Sequence, residues 1–140
     1  MTITHKRALV TSILFGSLFV FLLVYFIIIG AESFTQEKIH FAITSSLIAL
    51  AMIGYVILLA STNKKDNIID ERDNYVLKKS YGVGLVLSLM YVFLISIILF
   101  ITNRNLGVIN VSWLWFIGYS TFAFSYFITS FIILYYYNKE

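Results

Sequence analysis

Four stretches of this chain, residues 8–30, 41–61, 81–102 and 111–137, contain no Asp, Glu, Lys, Arg or His. A helix rises ~1.5 Å per residue, so about 20 apolar residues cross the ~30 Å hydrocarbon core of a bilayer, and each stretch reaches that length. Hydrocarbon offers no partner to a free backbone amide or carbonyl, so a spanning segment must be a helix or a strand of a closed barrel. These runs are about twice as long as a barrel strand. The expected fold is therefore all-α: an integral membrane four-helix bundle, built as two antiparallel transmembrane hairpins and forming one domain over residues 1–140. Composition agrees, because only 12% of the residues are charged, against roughly a quarter in soluble domains.

The first run follows Lys6 and Arg7, as the apolar region of a signal peptide would. It is longer than the ~7–15 residues of such a region and is read as a retained first helix. Orientation follows from the basic residues. Lys6, Arg7, Lys64, Lys65, Arg72, Lys78, Lys79 and Lys139 fall on one side, and only Lys38 and Arg104 on the other. The positive-inside rule then places both termini and the charged segment 62–80 in the cytoplasm of a multi-pass cell-membrane protein. Trp113 and Trp115 at the outer start of the fourth span, and Tyr135, Tyr136 and Tyr137 at its inner end, suit the aromatic belts of the two interfaces. The net charge of +3 sits beside apolar spans, which points to headgroups and topology and not to nucleic acid.

Several chemistries are excluded by what is missing. The chain has no cysteine, hence no disulfide, thiolate metal site or cysteine nucleophile, and no proline to kink a spanning helix. His5 and His40 lack a second histidine at ligand spacing, so no metal or cofactor is expected, and His40 is read as an interfacial residue. No span holds an ionisable group, which argues against a monomeric ion-coupled pump. A homo-oligomeric pore lined by hydroxyls stays open. Small and hydroxyl residues recur four apart: Ser12 and Gly16, Ser45 and Ala49, Gly84 and Ser88, and Thr121, Ser125 and Thr129. Ordinary close packing, with hydrogen bonds worth about 0.6 kcal/mol each, is the simpler account of these stripes, and a polar path the alternative.

The charged segment before the third span carries Asp66, Asp70, Glu71 and Asp73, four of the seven acidic residues of the chain. Asn67 can cap a helix there, with Asp70 at its third position and Lys78 and Lys79 later, the order the helix dipole favours. The third helix is thus expected to begin near Ile68, project into the cytoplasm and enter the membrane near Tyr81. Asp66, Asp70 and Asp73 share one stripe, a spacing that could hold a hard cation but is unspecific. A merely solvated face and an interaction element, with Arg72 and Asp73 holding a neighbouring helix end or a partner, are the other readings.

Asp70-Glu71-Arg72-Asp73, Val76, Lys79-Ser80 and then Gly82 and Gly84 resemble the DERDxxIxxKS signature of a family of small predicted bacterial and archaeal membrane proteins of unknown function, with Val76 in place of the usual Ile. The resemblance implies a four-helix membrane protein with the signature at the cytoplasmic entrance of the third helix. Such proteins are often encoded beside small helix-turn-helix regulators, which implies a regulatory or stress-linked role. The expected function is non-enzymatic, acting through protein contacts as a membrane partner, regulatory subunit or immunity-type protein. Asp70, Glu71, Arg72, Asp73, Lys79 and Ser80 would form its cytoplasmic contact or structural latch. The bilayer, a protein partner at the cytoplasmic face and a second copy of the chain are the candidate partners. The alternative is a small oligomeric transporter or channel for an apolar or amphipathic solute, marked by a pocket at Thr121, Ser125 and Thr129 open to one side. A lipid-directed enzyme would have only the carboxylates of the charged segment to work with.

Overall fold

A computed structural model describes residues 2–63 and 70–139. All regular elements among the described residues are helices: α1 (Ile3–Ile29), α2 (Ala31–Gln36), α3 (Lys38–Asn63), α4 (Glu71–Asn103) and α5 (Ser112–Lys139). The four long ones are each long and apolar enough to cross a membrane. The start of α1, the end of α3, the start of α4 and the end of α5 lie at one end of the bundle, the terminal end; α2 and the α4–α5 turn lie at the far end.

Local sequence explains the element ends. Thr2 caps α1, its hydroxyl accepting from the His5 amide at 3.2 Å. Gly30, at φ 81°, stops α1 where a side chain would be strained, and its amide donates to the Phe26 carbonyl at 2.9 Å. The polar stretch 31–38 between the first two apolar runs opens with the short helix α2. The turn at Gly30 directs its Phe34 back onto Phe26, with ring centroids 5.5 Å apart, and burying that ring holds the segment helical. The third long helix also starts later than the sequence suggested. Asp70 is its cap and not its third residue: the backbone there is extended, and the carboxylate accepts from the Glu71 amide at 2.8 Å. Glu71 and Asp73 occupy the first turn, favourable to the helix dipole. Asn67 and Ile68 lie outside the described residues.

Packing follows small residues and aromatic rings. The buried stripe of α1 runs Ala8, Thr11, Ser12, Phe15, Leu18, Leu22 and Phe26; that of α4 runs Asp73, Val76, Ser80, Gly84 and Ser88. Both stripes keep helical spacing, yet the faces turned outward, with Ile27, Leu89, Phe93 and Ile101, are at least as apolar. Between helices in lipid the driving force is close contact, since burying carbon gains little against acyl chains. Helices α1 and α5 form the central antiparallel pair; α4 packs on α5 and α3 on α1. Side chains also join α3 to α5, through Thr44 and Trp115 and through Tyr55 and Tyr126, and α1 to α4, through Thr4 and Asp73.

A close contact joins α4 to α5 at Gly84. A Cβ there would overlap the Thr129 hydroxyl and come within 3.3 Å of the Thr129 Cα, an atom that cannot move aside without the helix. Gly84→Ala is therefore expected to destabilise the bundle by about 1–3 kcal/mol, and Thr129→Ala to restore part of that loss in the double variant. Unfolding midpoints in detergent test this; a neutral Gly84→Ala would mean the helices are not in close contact there.

Candidate functional site

The terminal end is held together by one carboxylate. Asp73, only 7% exposed, accepts from the Thr4 hydroxyl of α1 at 3.2 Å through Oδ2 and from the Tyr137 hydroxyl of α5 through Oδ1. Three helices meet at one side chain. Directly beneath, Ala8, Val76 and Ile133 form a small buried apolar cluster, one residue from each of the same helices. A buried carboxylate without partners would cost several kcal/mol, and hydrogen bonds to a charged group recover about 1.5–3 kcal/mol each.

The other signature residues divide between two tasks. Ser80, fully buried, continues the Asp73–Val76 stripe, and its hydroxyl has no hydrogen-bond partner among the described residues. Its small volume is what the stripe uses. Arg72 is exposed and makes no ion pair with Asp73 among the described residues. Its guanidinium instead lies 5.8 Å from the centroid of the Tyr137 ring. Lys79 is exposed and places its ammonium 4.6 Å from the Tyr136 ring centroid and 5.6 Å from that of Tyr75. Glu71 is exposed, and Asp70 is spent on the cap. The latch is thus Asp73 with Thr4 and Tyr137, and not an Arg72–Asp73 pair. Among the described residues no three His, Asp or Glu side chains converge as a cation site, and Asp66 lies outside them.

Beside the latch opens a vestibule of about 730 Å³. Its rim carries Asp70, Arg72 and Asp73 from α4 and Arg7 from α1, and the Arg7 Nε donates to the Thr62 hydroxyl of α3. Ser125, Thr129 and Ser130 line its α5 wall. Tyr55, Leu59, Leu77 and Tyr81 line it from α3 and α4. Of the hydroxyl stripe expected to mark a pocket, Ser125 and Thr129 belong to the lining and Thr121 does not. The inner end is closed by rings. Tyr126 stacks on Phe15 at 4.6 Å, and Tyr55 meets both edge-on at 5.2 and 5.9 Å. Phe15 is completely buried, and the aromatic core continues from it to Phe26, Phe116 and Tyr119 at the far end.

The far end has its own polar knot. The Tyr25 hydroxyl and His40 Nδ1 are 2.7 Å apart, and His40 Nε2 lies 3.2 Å from Glu37. Trp115 Nε1 donates to the Thr44 hydroxyl at 3.1 Å, which ties α5 to α3, and Ser112 donates to the Ala31 carbonyl at 2.8 Å. These bonds give His40 and Trp115 a positional role in addition to their place at an interface. Sequence reasoning missed Thr4, Arg7, Tyr55, Tyr126 and Tyr137 as parts of one site. Arg7 and Tyr137 had drawn notice only as topology and belt residues, and no local pattern links positions 4, 73 and 137.

The fold defines a multi-pass, all-α membrane protein. No family model, curated protein or solved structure matches the chain.

Removing the Asp73 carboxylate takes away the acceptor shared by two half-buried hydroxyls. Asp73→Ala is expected to cost about 1.5–3 kcal/mol, and a double-mutant cycle with Tyr137→Phe to show a coupling of about 0.5–3 kcal/mol. Strict additivity in detergent unfolding would remove Asp73 from the latch.

Proposed function

We propose that this is a non-enzymatic protein of the cell membrane, with both termini in the cytoplasm, that acts by binding at its cytoplasmic end. The orientation rests on the basic residues, eight of ten of which belong to the terminal end or to the segment joining α3 to α4. The observation that carries the binding reading is the vestibule: a cavity of ligand size whose rim is made by Asp70, Arg72 and Asp73 of the signature together with Arg7. Of the signature, Asp73, Val76 and Ser80 pack into the bundle, and Asp70, Arg72 and Asp73 border the cavity. Because Phe15, Tyr55 and Tyr126 close the inner end, the cavity suits a site entered from one side better than a pore. The described lining contains no His or Cys, Asp73 is engaged by two hydroxyls and Asp70 caps a helix, so no nucleophile with its base is assembled.

A second reading, docking of a protein partner, is favoured by the opposite face of α4. Glu71, Tyr75 and Lys78 lie there at helical spacing, all exposed and outside the vestibule lining. Such a face would let occupancy of the vestibule be sensed by a cytoplasmic regulator, as resemblance to the signature family would suit.

The absence of native cysteine makes the orientation directly measurable. With Lys139→Cys and Leu106→Cys in separate chains, a membrane-impermeant maleimide on intact cells should label only the second; the reverse would invert the topology. Binding is tested by filling the cavity. Native mass spectrometry of the wild type should show a retained small molecule or lipid that Ser125→Trp releases without loss of fold. Identical spectra for the two proteins, bare or loaded, would remove the vestibule as a binding site.

A further inference from the structure

We infer that the outward face of α4, where it meets the end of α5, seats the head of one anionic phospholipid. Lys78 and Lys79 hold the phosphate, and the rings of Tyr75 and Tyr136 fix the Lys79 ammonium in place. None of the four lines the vestibule, so the site stands apart from whatever the vestibule binds.

Helical spacing puts the parts together. Lys78, Lys79 and Gly82 follow Tyr75 on one face of α4, at i+3, i+4 and i+7. The Lys79 ammonium stands 4.6 Å from the ring centroid of Tyr136, on α5, and 5.6 Å from that of Tyr75. Two rings on two helices thus restrain a side chain that would otherwise sample many rotamers. An ammonium has three N–H donors, so two ring contacts still leave one for a phosphate oxygen. Tyr75, Lys78 and Lys79 are exposed, and among the described residues neither lysine forms an ion pair. Glu71 shares the face but begins the helix, seven residues before Lys78 and about 10 Å away along the axis. A phosphate meets uncompensated positive charge here, whereas a zwitterionic head would also bring an ammonium against two others.

The depth of the two lysines selects a lipid over a soluble anion. Lys79 stands two residues before the uncharged run 81–102, and the next turns of α4 carry Leu85, Val86 and Leu89 on the outside. A phosphate on Lys79 is therefore followed at once by side chains that suit acyl chains. Exposed Tyr81 and Tyr135 mark the same level as an interface. Gly82 supplies the room: a Cβ there would meet nothing within 4 Å, so the flank below the lysines is bare backbone against which a glycerol can lie. An acidic protein segment would have to push between headgroups to reach the same ammonium.

The test uses the full-length protein in vesicles of equal parts phosphatidylglycerol and phosphatidylethanolamine, with the lipids retained after mild extraction counted by native mass spectrometry. Phosphatidylglycerol should be enriched about fivefold, the preference that one lysine near the surface confers. Lys79→Gln should return the ratio to that of the vesicle, and Lys79→Arg should keep most of the enrichment. Gly82→Trp, which covers the bare flank without changing a charge, should also lower it. Lys6→Gln removes an equal charge from an exposed position on α1 at the same end and should leave the enrichment intact. A vesicle-like ratio in the wild type overturns the inference and leaves this face to a protein partner. Equal falls in Lys79→Gln and Lys6→Gln, with none in Gly82→Trp, would mark diffuse attraction and overturn it as well. Soluble glycerophosphoglycerol should fail to displace the lipid; complete displacement would overturn the lipid as the source. Ser125→Trp, which fills the vestibule, should leave the phosphatidylglycerol bound. Its release there would move the lipid into the vestibule, ending this inference and not the binding reading above.

Discussion

The antiparallel contact between α1 and α5 is what the other helices depend on. These two helices are separated by most of the chain, yet they form the central pair, and α3 and α4 each attach to one of them. The contact is built largely from rings: Phe15 against Tyr126 and Phe122, and Phe26 against Phe116 and Tyr119. In lipid such contacts matter through fit and dispersion, because exclusion from water no longer favours one apolar face over another. Aromatic pairs contribute about 0.5–1.5 kcal/mol each beyond their area in water-based measurements, and here they repeat along the length of the pair.

A central pair with two flanking helices leaves a cavity at the terminal end, lined from all four long helices. Tightness comes from residues without bulk. Gly84 lets α4 approach Thr129, and Gly16 faces the Phe127 ring, where a Cβ would stand 2.9 Å from its nearest carbon. The same geometry that seats Asp73 between Thr4 and Tyr137 therefore leaves the adjoining space unfilled, and the latch and the vestibule share that residue.

This arrangement gives the charged segment two distinct physical roles. Asp73, Val76, Ser80 and Gly84 fall at intervals of three and four and turn inward, where a carboxylate is tolerated only because two hydroxyls donate to it. Asp70 and Arg72 stand beside that stripe and border the cavity; Glu71 and Lys78 look away from it. Eleven contiguous residues thus serve packing, the cavity rim and the outer surface at once, as a helix whose faces meet different surroundings must.

Four helices, their approximate limits and the distribution of charge between the two ends were legible in the sequence, because hydrocarbon imposes its demand residue by residue: no free backbone group and no unpaired charge across about 20 residues. The close-packing role of the Gly84–Ser88 and Ser12–Gly16 stripes was legible for a similar reason, since only small residues permit close approach. The cap at Asp70, the helix after Gly30 and the site itself were not. A capping choice between Asn67 and Asp70 turns on the path of the preceding chain, and α2 exists because Phe34 finds Phe26. Most of all, hydropathy cannot say which face of a spanning helix turns inward when both faces are apolar. Which helices pair, and hence that Thr4, Arg7, Asp73 and Tyr137 meet around one cavity, was decided by tertiary packing alone, through contacts between side chains more than sixty residues apart.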